Sequence, residues 1–211
     1  YGLYNCRSDY ILHLDSDIFL GGLSQTWVEE ALQLLATDPS LLTCSPLPGP
    51  PHPDKILIGQ NRAVKLNDDY CFEFKVMSTR AFLIDKRFFG KEKIGQKLPS
   101  ALKMVKARIM GNPPYNLPEE LLSDYIKKNG LKRIDFLGRG NGLWTLHPPF
   151  RVVGFYERLP EIIKDIEQNN LPPEQYGFYD IVDEVCNWTE AREKISSNSW
   201  KTKLIHAKSH K

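Results

Sequence analysis

Two aspartates with the spacing for cation chemistry, Asp15 and Asp17, follow the stretch Tyr10-Ile11-Leu12-His13-Leu14 directly. That apolar stretch predicts a buried strand, and a strand ending on acids delivers them to the rim of a sheet, where open α/β sheets bind ligands. At a strand-to-loop bend both carboxylates can turn towards one point. Such a pair suits a hard divalent cation, Mg²⁺ or Mn²⁺, with phosphate oxygens completing the coordination. Aspartates also simply end strands and open turns, so the pair has a structural reading too.

Other residues with chemical potential come later in the chain. Pro118-Glu119-Glu120 reads as a helix start, because proline fits the first turn and acids complement the positive end of the helix dipole. His147 follows Trp144-Thr145-Leu146 and precedes Pro148-Pro149, which fix the chain's exit. Arg80 lies just past an alternating segment and is placed to face a cleft. The cysteines (Cys6, Cys44, Cys71 and Cys186) form no Cys-x-x-Cys pair, which argues against zinc and against a disulfide framework and leaves reduced thiols in a cytoplasm as the expectation.

The elements that must position these groups read as α/β. Leu41–Cys44, Phe72–Ser78 and Leu131–Phe136 join Tyr10–Leu14 as expected strands of one mixed sheet. Gly21-Gly22 breaks the first strand. Thr26 with Glu29 then gives a capping-box signature for a helix carrying Trp27, Ala31, Leu32, Leu34 and Leu35. The prolines from Pro46 to Pro53 predict a rigid surface loop outside any ladder. Helices are expected over Pro99–Met110, from Glu119, over Pro160–Asn169 and over Tyr179–Ile195. Gly138, Gly140 and Gly142 predict a mobile loop, and Lys201–Lys211 a frayed tail. With 41% hydrophobic residues in 211, the chain can bury a substantial core. Its net charge of +2 points to no nucleic-acid partner, and no apolar run is long enough to cross a bilayer. The chain opens on Tyr1 without an initiator Met or lead-in, as a segment of a longer protein would.

Taken in order, Asp15-Ser16-Asp17, Glu119-Glu120 and His147 resemble the catalytic part of nucleotide-sugar glycosyltransferases with the GT-A fold. The resemblance runs from about Tyr10 to Pro149. It departs from the family in two ways: the nucleotide-binding βαβ half is absent before Tyr1, and Glu-Glu replaces the usual Glu-Asp. It implies residues 1–156 as the C-terminal part of a GT-A-like catalytic domain and residues 157–211 as a helical appendage. It further implies Asp15, Asp17 and His147 as ligands of Mn²⁺ or Mg²⁺, and Glu119 or Glu120 as the base of an inverting displacement. Asp15, Arg80 and Trp144 are then substrate-binding candidates. The donor is a nucleotide-sugar; the acceptor is a glycan, a lipid or a protein. Two alternatives stand beside this reading. One is a phosphohydrolase resembling the haloacid dehalogenases, with Asp15 as nucleophile, Asp17 as acid-base and Asp180 or Asp183 as the late acids. The other is a non-catalytic remnant or binding module.

Overall fold

The computed structural model describes residues 5–60, 63–66, 69–89, 100–110 and 117–198. The expected helix start at Pro99 and the tail from Lys201 lie outside them. The strands are β1 (Tyr10–Leu14), β2 (Phe19–Gly21), β3 (Leu41–Pro48), β4 (Val64–Lys65), β5 (Cys71–Phe74), β6 (Ala81–Asp85), β7 (Lys132–Phe136) and β8 (Trp144–Leu146). The helices are α1 (Trp27–Thr37), α2 (Ala101–Met110), α3 (Pro118–Lys128), α4 (Val153–Glu167) and α5 (Thr189–Asn198). Eight strands form one mixed sheet in the order β1-β6-β3-β7-β5-β4, with β8 alongside the far end of β3 and β2 outside β8. Strand β3 runs parallel to β7 and β8 and antiparallel to β6. The four expected strands therefore share one sheet.

Period-two alternation sorts the sheet's two faces. Leu41, Cys44, Leu83, Ile134 and Phe136 meet Trp27, Ala31 and Leu35 of α1 on one side. Leu42, Phe82 and Ile84 meet Leu122 and Ile126 of α3 on the other. Arg133 and Asp135, interleaved with Ile134 and Phe136, are thereby turned away from α1.

Several local expectations need correction. Strand β1 lies at the sheet's edge, with Leu12 and Leu14 exposed rather than buried. Pro46 and Pro48 do not sit in a surface loop; they belong to β3, which is buried along its whole length. Only alternate N–H groups of a strand face a given neighbour. Leu47 and Gly49 donate to Leu143 and Thr145 on the β7–β8 side. The proline nitrogens fall on the opposite edge, which β6 has already left after pairing with Thr43 and Cys44. Proline is tolerated at such an edge. Ser24, not Thr26, caps α1: its hydroxyl accepts from the Trp27 N–H at 3.1 Å, while the Thr26 hydroxyl donates to Glu30. The expected strand Phe72–Ser78 ends at Phe74, and Ala81–Asp85 forms a strand of its own. The Gly138–Gly142 segment is a hydrogen-bonded turn, closed by Gly142 N–H to Arg139 and Leu143 N–H to Leu137.

The described residues after 156 share the sheet's core rather than forming a separate appendage, and α-helix covers 157–167 and 189–198 of them. The expected boundary after residue 156 falls inside α4, which starts seven residues before Pro160 and carries that proline in its interior. An interior proline costs roughly 3 kcal/mol. Burial of Phe155, Ile162 and Ile166 offsets it. These three join Leu47, Phe74, Trp144, Leu146, Ile181 and Trp188 in one core. Tyr179–Trp188 is irregular rather than helical, and a helix resumes only at Thr189.

Candidate functional site

The Asp15 N–H donates to the Arg80 carbonyl at 2.7 Å, carrying the β1–β6 pairing one step past the strands. The acids then separate. Asp15 Oδ1 lies 3.0 Å from His13 Nε2 at the half-exposed rim. Asp17 is more enclosed, and its Oδ2 accepts from Arg151 Nε at 3.0 Å and also from Arg151 Nη2. His147 Nε2 stands 3.6 Å from the same oxygen. Partial burial alone would raise the Asp17 carboxyl, but the Arg151 hydrogen bond and charge, helped by His147, hold it below the ordinary carboxylate range.

His147 is built in firmly. Its N–H donates to the Tyr179 carbonyl at 3.1 Å, and its own carbonyl accepts from Ile181 at 2.9 Å, so residues 179–181 extend the sheet beside β8. Its ring stacks on Tyr179 at 5.7 Å, nearly parallel, and its Nδ1 pairs with Asp180 Oδ1 at 3.0 Å. A carboxylate on Nδ1 fixes the ring and leaves Nε2 facing Asp17. Asp180 also meets Arg80 Nη1 at 3.4 Å. Burial pushes the Asp180 carboxyl up, yet the His147 hydrogen bond and the Arg80 charge bring it net below its usual value. Two features hold this segment in place. Gln175 is fully buried, donating to the Phe178 and Asp180 carbonyls and accepting from the Val182 N–H. Gly49, at φ +95°, lets the Phe178 backbone approach so closely that a Cβ would lie 2.3 Å from its carbonyl oxygen.

Arg80, Asp180, Tyr179 and Glu119 line a cleft of about 470 Å³. Glu119 Oε1 accepts from the Thr79 N–H at 3.1 Å and from its hydroxyl at 3.2 Å. Glu120 turns back instead, and its Oε2 accepts from the Leu117 N–H at 3.2 Å. Asp17, His147 and Arg151 line a neighbouring depression of about 500 Å³, joined to the cleft through the His147–Asp180 bond. The structure thus links Asp17, His147 and Arg80 in one network through Asp180. Asp15 joins it through its backbone bond to Arg80 and through its charge, which acts on Arg151 and Tyr179. Trp144 is 3% exposed and packs in the core over Gly21, where a Cβ would fall 2.0 Å from the indole.

The sequence reading did not single out Tyr179, Gln175 or Arg151, and it weighed Asp180 only for the phosphohydrolase. None of them stands in a motif; a loop between α4 and α5 delivers the first two. For that alternative, Asp180 is engaged by His147, whereas Asp183 pairs with Arg192 at 2.9 Å and accepts from the Trp188 N–H. Among the described residues, no group of three or more His, Cys, Asp or Glu stands together around one point. The Asp17 oxygen that faces the His147 ring is the one that accepts from Arg151.

No family model matches this chain, and neither a curated protein nor a solved structure matches it.

Proposed function

We propose that this chain carries the metal-side and acceptor-side parts of a nucleotide-sugar glycosyltransferase. The observation that carries the proposal is one continuous polar network, Asp17–His147–Asp180–Arg80, leading into a cleft faced by Glu119. Transfer from a nucleotide diphosphate needs charge neutralised at the leaving phosphates and a base near the incoming hydroxyl. Here Asp17 and His147 stand on one side of the His147–Asp180 bond, and Glu119 lines the cleft on the other.

Asp17 and His147 Nε2 would hold Mn²⁺ or Mg²⁺, which supplies Lewis-acid stabilisation of the leaving diphosphate. Asp180 orients the His147 ring so that Nε2 keeps its lone pair towards Asp17. Arg151 neutralises Asp17, and with Arg80 it offers cationic donors for phosphate oxygens. Glu119, held by Thr79, accepts the proton of an acceptor hydroxyl in the cleft. Among the described residues β1 has no strand on its outer edge, and that edge, with Leu12 and Leu14 exposed, is where a further strand would add.

The test is donor consumption by the full-length protein, with a panel of nucleotide-sugars and Mn²⁺ or Mg²⁺, read as nucleoside diphosphate release. Asp17→Ala is expected to lower turnover about 10²-fold or more, because leaving-group stabilisation is lost. Inorganic phosphate released from a sugar phosphate, abolished by Asp15→Asn, without nucleotide-sugar turnover, assigns the protein to the phosphohydrolases instead.

A further inference from the structure

Helix α2 presents outward what the helices beside the sheet bury. α1 packs Trp27, Ala31 and Leu35 inward, and α3 packs Leu122 and Ile126. On α2, Ala107 is the one buried residue among the described side chains. Leu102 is 84% exposed, Ile109 73% and Val105 57%, and none of them joins a hydrophobic core among the described residues. Positions 102, 105 and 109 follow the three- and four-residue spacing of a helix face, so they form one stripe. Apolar residues exposed singly need no explanation, but a contiguous stripe with a polar border marks a contact surface. The charge around it is of one sign. The helix carries Lys103, Lys106 and Arg108 with no acid, and from Lys91 to Asn112 the sequence holds six Lys and Arg against one acid, Glu92. The whole chain carries only +2, so the remainder of it is net acidic.

We propose that α2 binds the surface of a membrane rich in anionic lipid, with the Leu102, Val105 and Ile109 stripe entering the acyl boundary. An apolar stripe on a basic helix is the chemistry of helices that lie in the interface plane. Headgroup phosphates meet the charges there, and acyl chains meet the stripe. At 1.5 Å per residue the helix is about 15 Å long, half of a bilayer core, so it lies on the membrane rather than crossing it. A second copy of this chain fits less well, because a two-fold contact would set one basic helix against another. A nucleic-acid backbone would meet the charges and leave the stripe in water. A specific protein partner needs roughly 800 Å² on each side, more than a stripe of three side chains supplies.

The experiment is co-sedimentation of the full-length protein with vesicles of phosphatidylcholine alone and of phosphatidylcholine mixed with phosphatidylglycerol. The protein is expected to pellet with the mixed vesicles, to stay in solution with phosphatidylcholine alone, and to be released in part by high salt. Leu102→Glu and Ile109→Glu should each weaken binding about tenfold or more, and Arg108→Glu about tenfold. All three side chains are exposed, so the urea midpoint stays that of the parent. No pelleting with the mixed vesicles, equal pelleting with both kinds, or parent-like binding by the three variants overturns the proposal. A dimer in sedimentation velocity that Ile109→Glu dissociates, with no vesicle binding, gives the stripe to a second copy instead. Vesicle binding stands with or without nucleotide-sugar turnover, so the two readings fail separately.

Discussion

Glu119 and Glu120 are adjacent and chemically equal, yet their environments separate their roles. Successive residues on a helix point about 100° apart, so only one of the two can face a given cleft. Glu119 does so, with Thr79 holding one oxygen, while Glu120 closes the helix start on the Leu117 N–H. If Glu119 is the base, Glu119→Gln lowers turnover by about 10²-fold or more and leaves the donor KM nearly unchanged, since only proton abstraction is removed. Glu120→Gln keeps turnover and costs at most about 1 kcal/mol of stability, the scale of a capping contact. Steady-state kinetics and urea unfolding of the two variants, side by side, decide the assignment; equal kinetic losses would refute it.

At the scale of elements, the turn between α1 and β3 is tied to the start of β7. Asp38 follows α1, its Oδ1 accepts from the Ser40 N–H and hydroxyl, and its Oδ2 meets Lys132 Nζ at 2.8 Å. The Lys132 hydrogen bond, followed by that of Ser40, draws the Asp38 carboxyl down to about 2. A carboxyl depressed on folding adds stability above its unfolded value near 3.9, and the gain disappears as pH falls through the folded value. The window therefore lies between about pH 4 and pH 2. Water reaches this pair and screens it, so the contribution is about 1 kcal/mol. Asp38→Asn should lose that amount at pH 7 and match the parent near pH 2, measured by urea unfolding across the range. A constant difference at both pH values contradicts the linkage.

On the scale of the whole molecule, the sheet and the last third of the described chain share a core. Trp188 is 1% exposed, its indole N–H donates to the Ile181 carbonyl at 2.7 Å, and its ring lies 5.7 Å from Phe155. Phe155, Ile162 and Trp188 cover Leu47, Phe74 and Leu146. Ending the chain after residue 156 removes Ile162 and Trp188 from that layer and also takes away Asp180, the link between His147 and Arg80. A chain ended after residue 156 is therefore expected not to fold cooperatively. In the complete chain, tryptophan fluorescence and far-UV circular dichroism should report one coincident urea transition. Separate transitions would restore an independent C-terminal unit.

The strands and the first helix were legible because each carries its own periodicity. The Trp27, Ala31, Leu35 spacing is a local pattern that tertiary contacts had only to bury, and the Tyr10–Leu14 stretch forms its strand without being buried. The acidic strand end, the Pro-Glu-Glu helix start and the histidine before two prolines could be read in the same way. Three things could not. Pro46 and Pro48 entered a strand because β6 departs from that edge, a fact about a neighbour forty residues away in the chain. Leu12 and Leu14 read as core, but edge position is a property of sheet order, not of composition. Asp180 became the hinge of the candidate site through an approach that Gly49 permits and Gln175 secures. Sequence patterns report which face of an element is apolar; which other element meets that face, and which polar groups are then left facing one another, is decided only when the chain closes on itself.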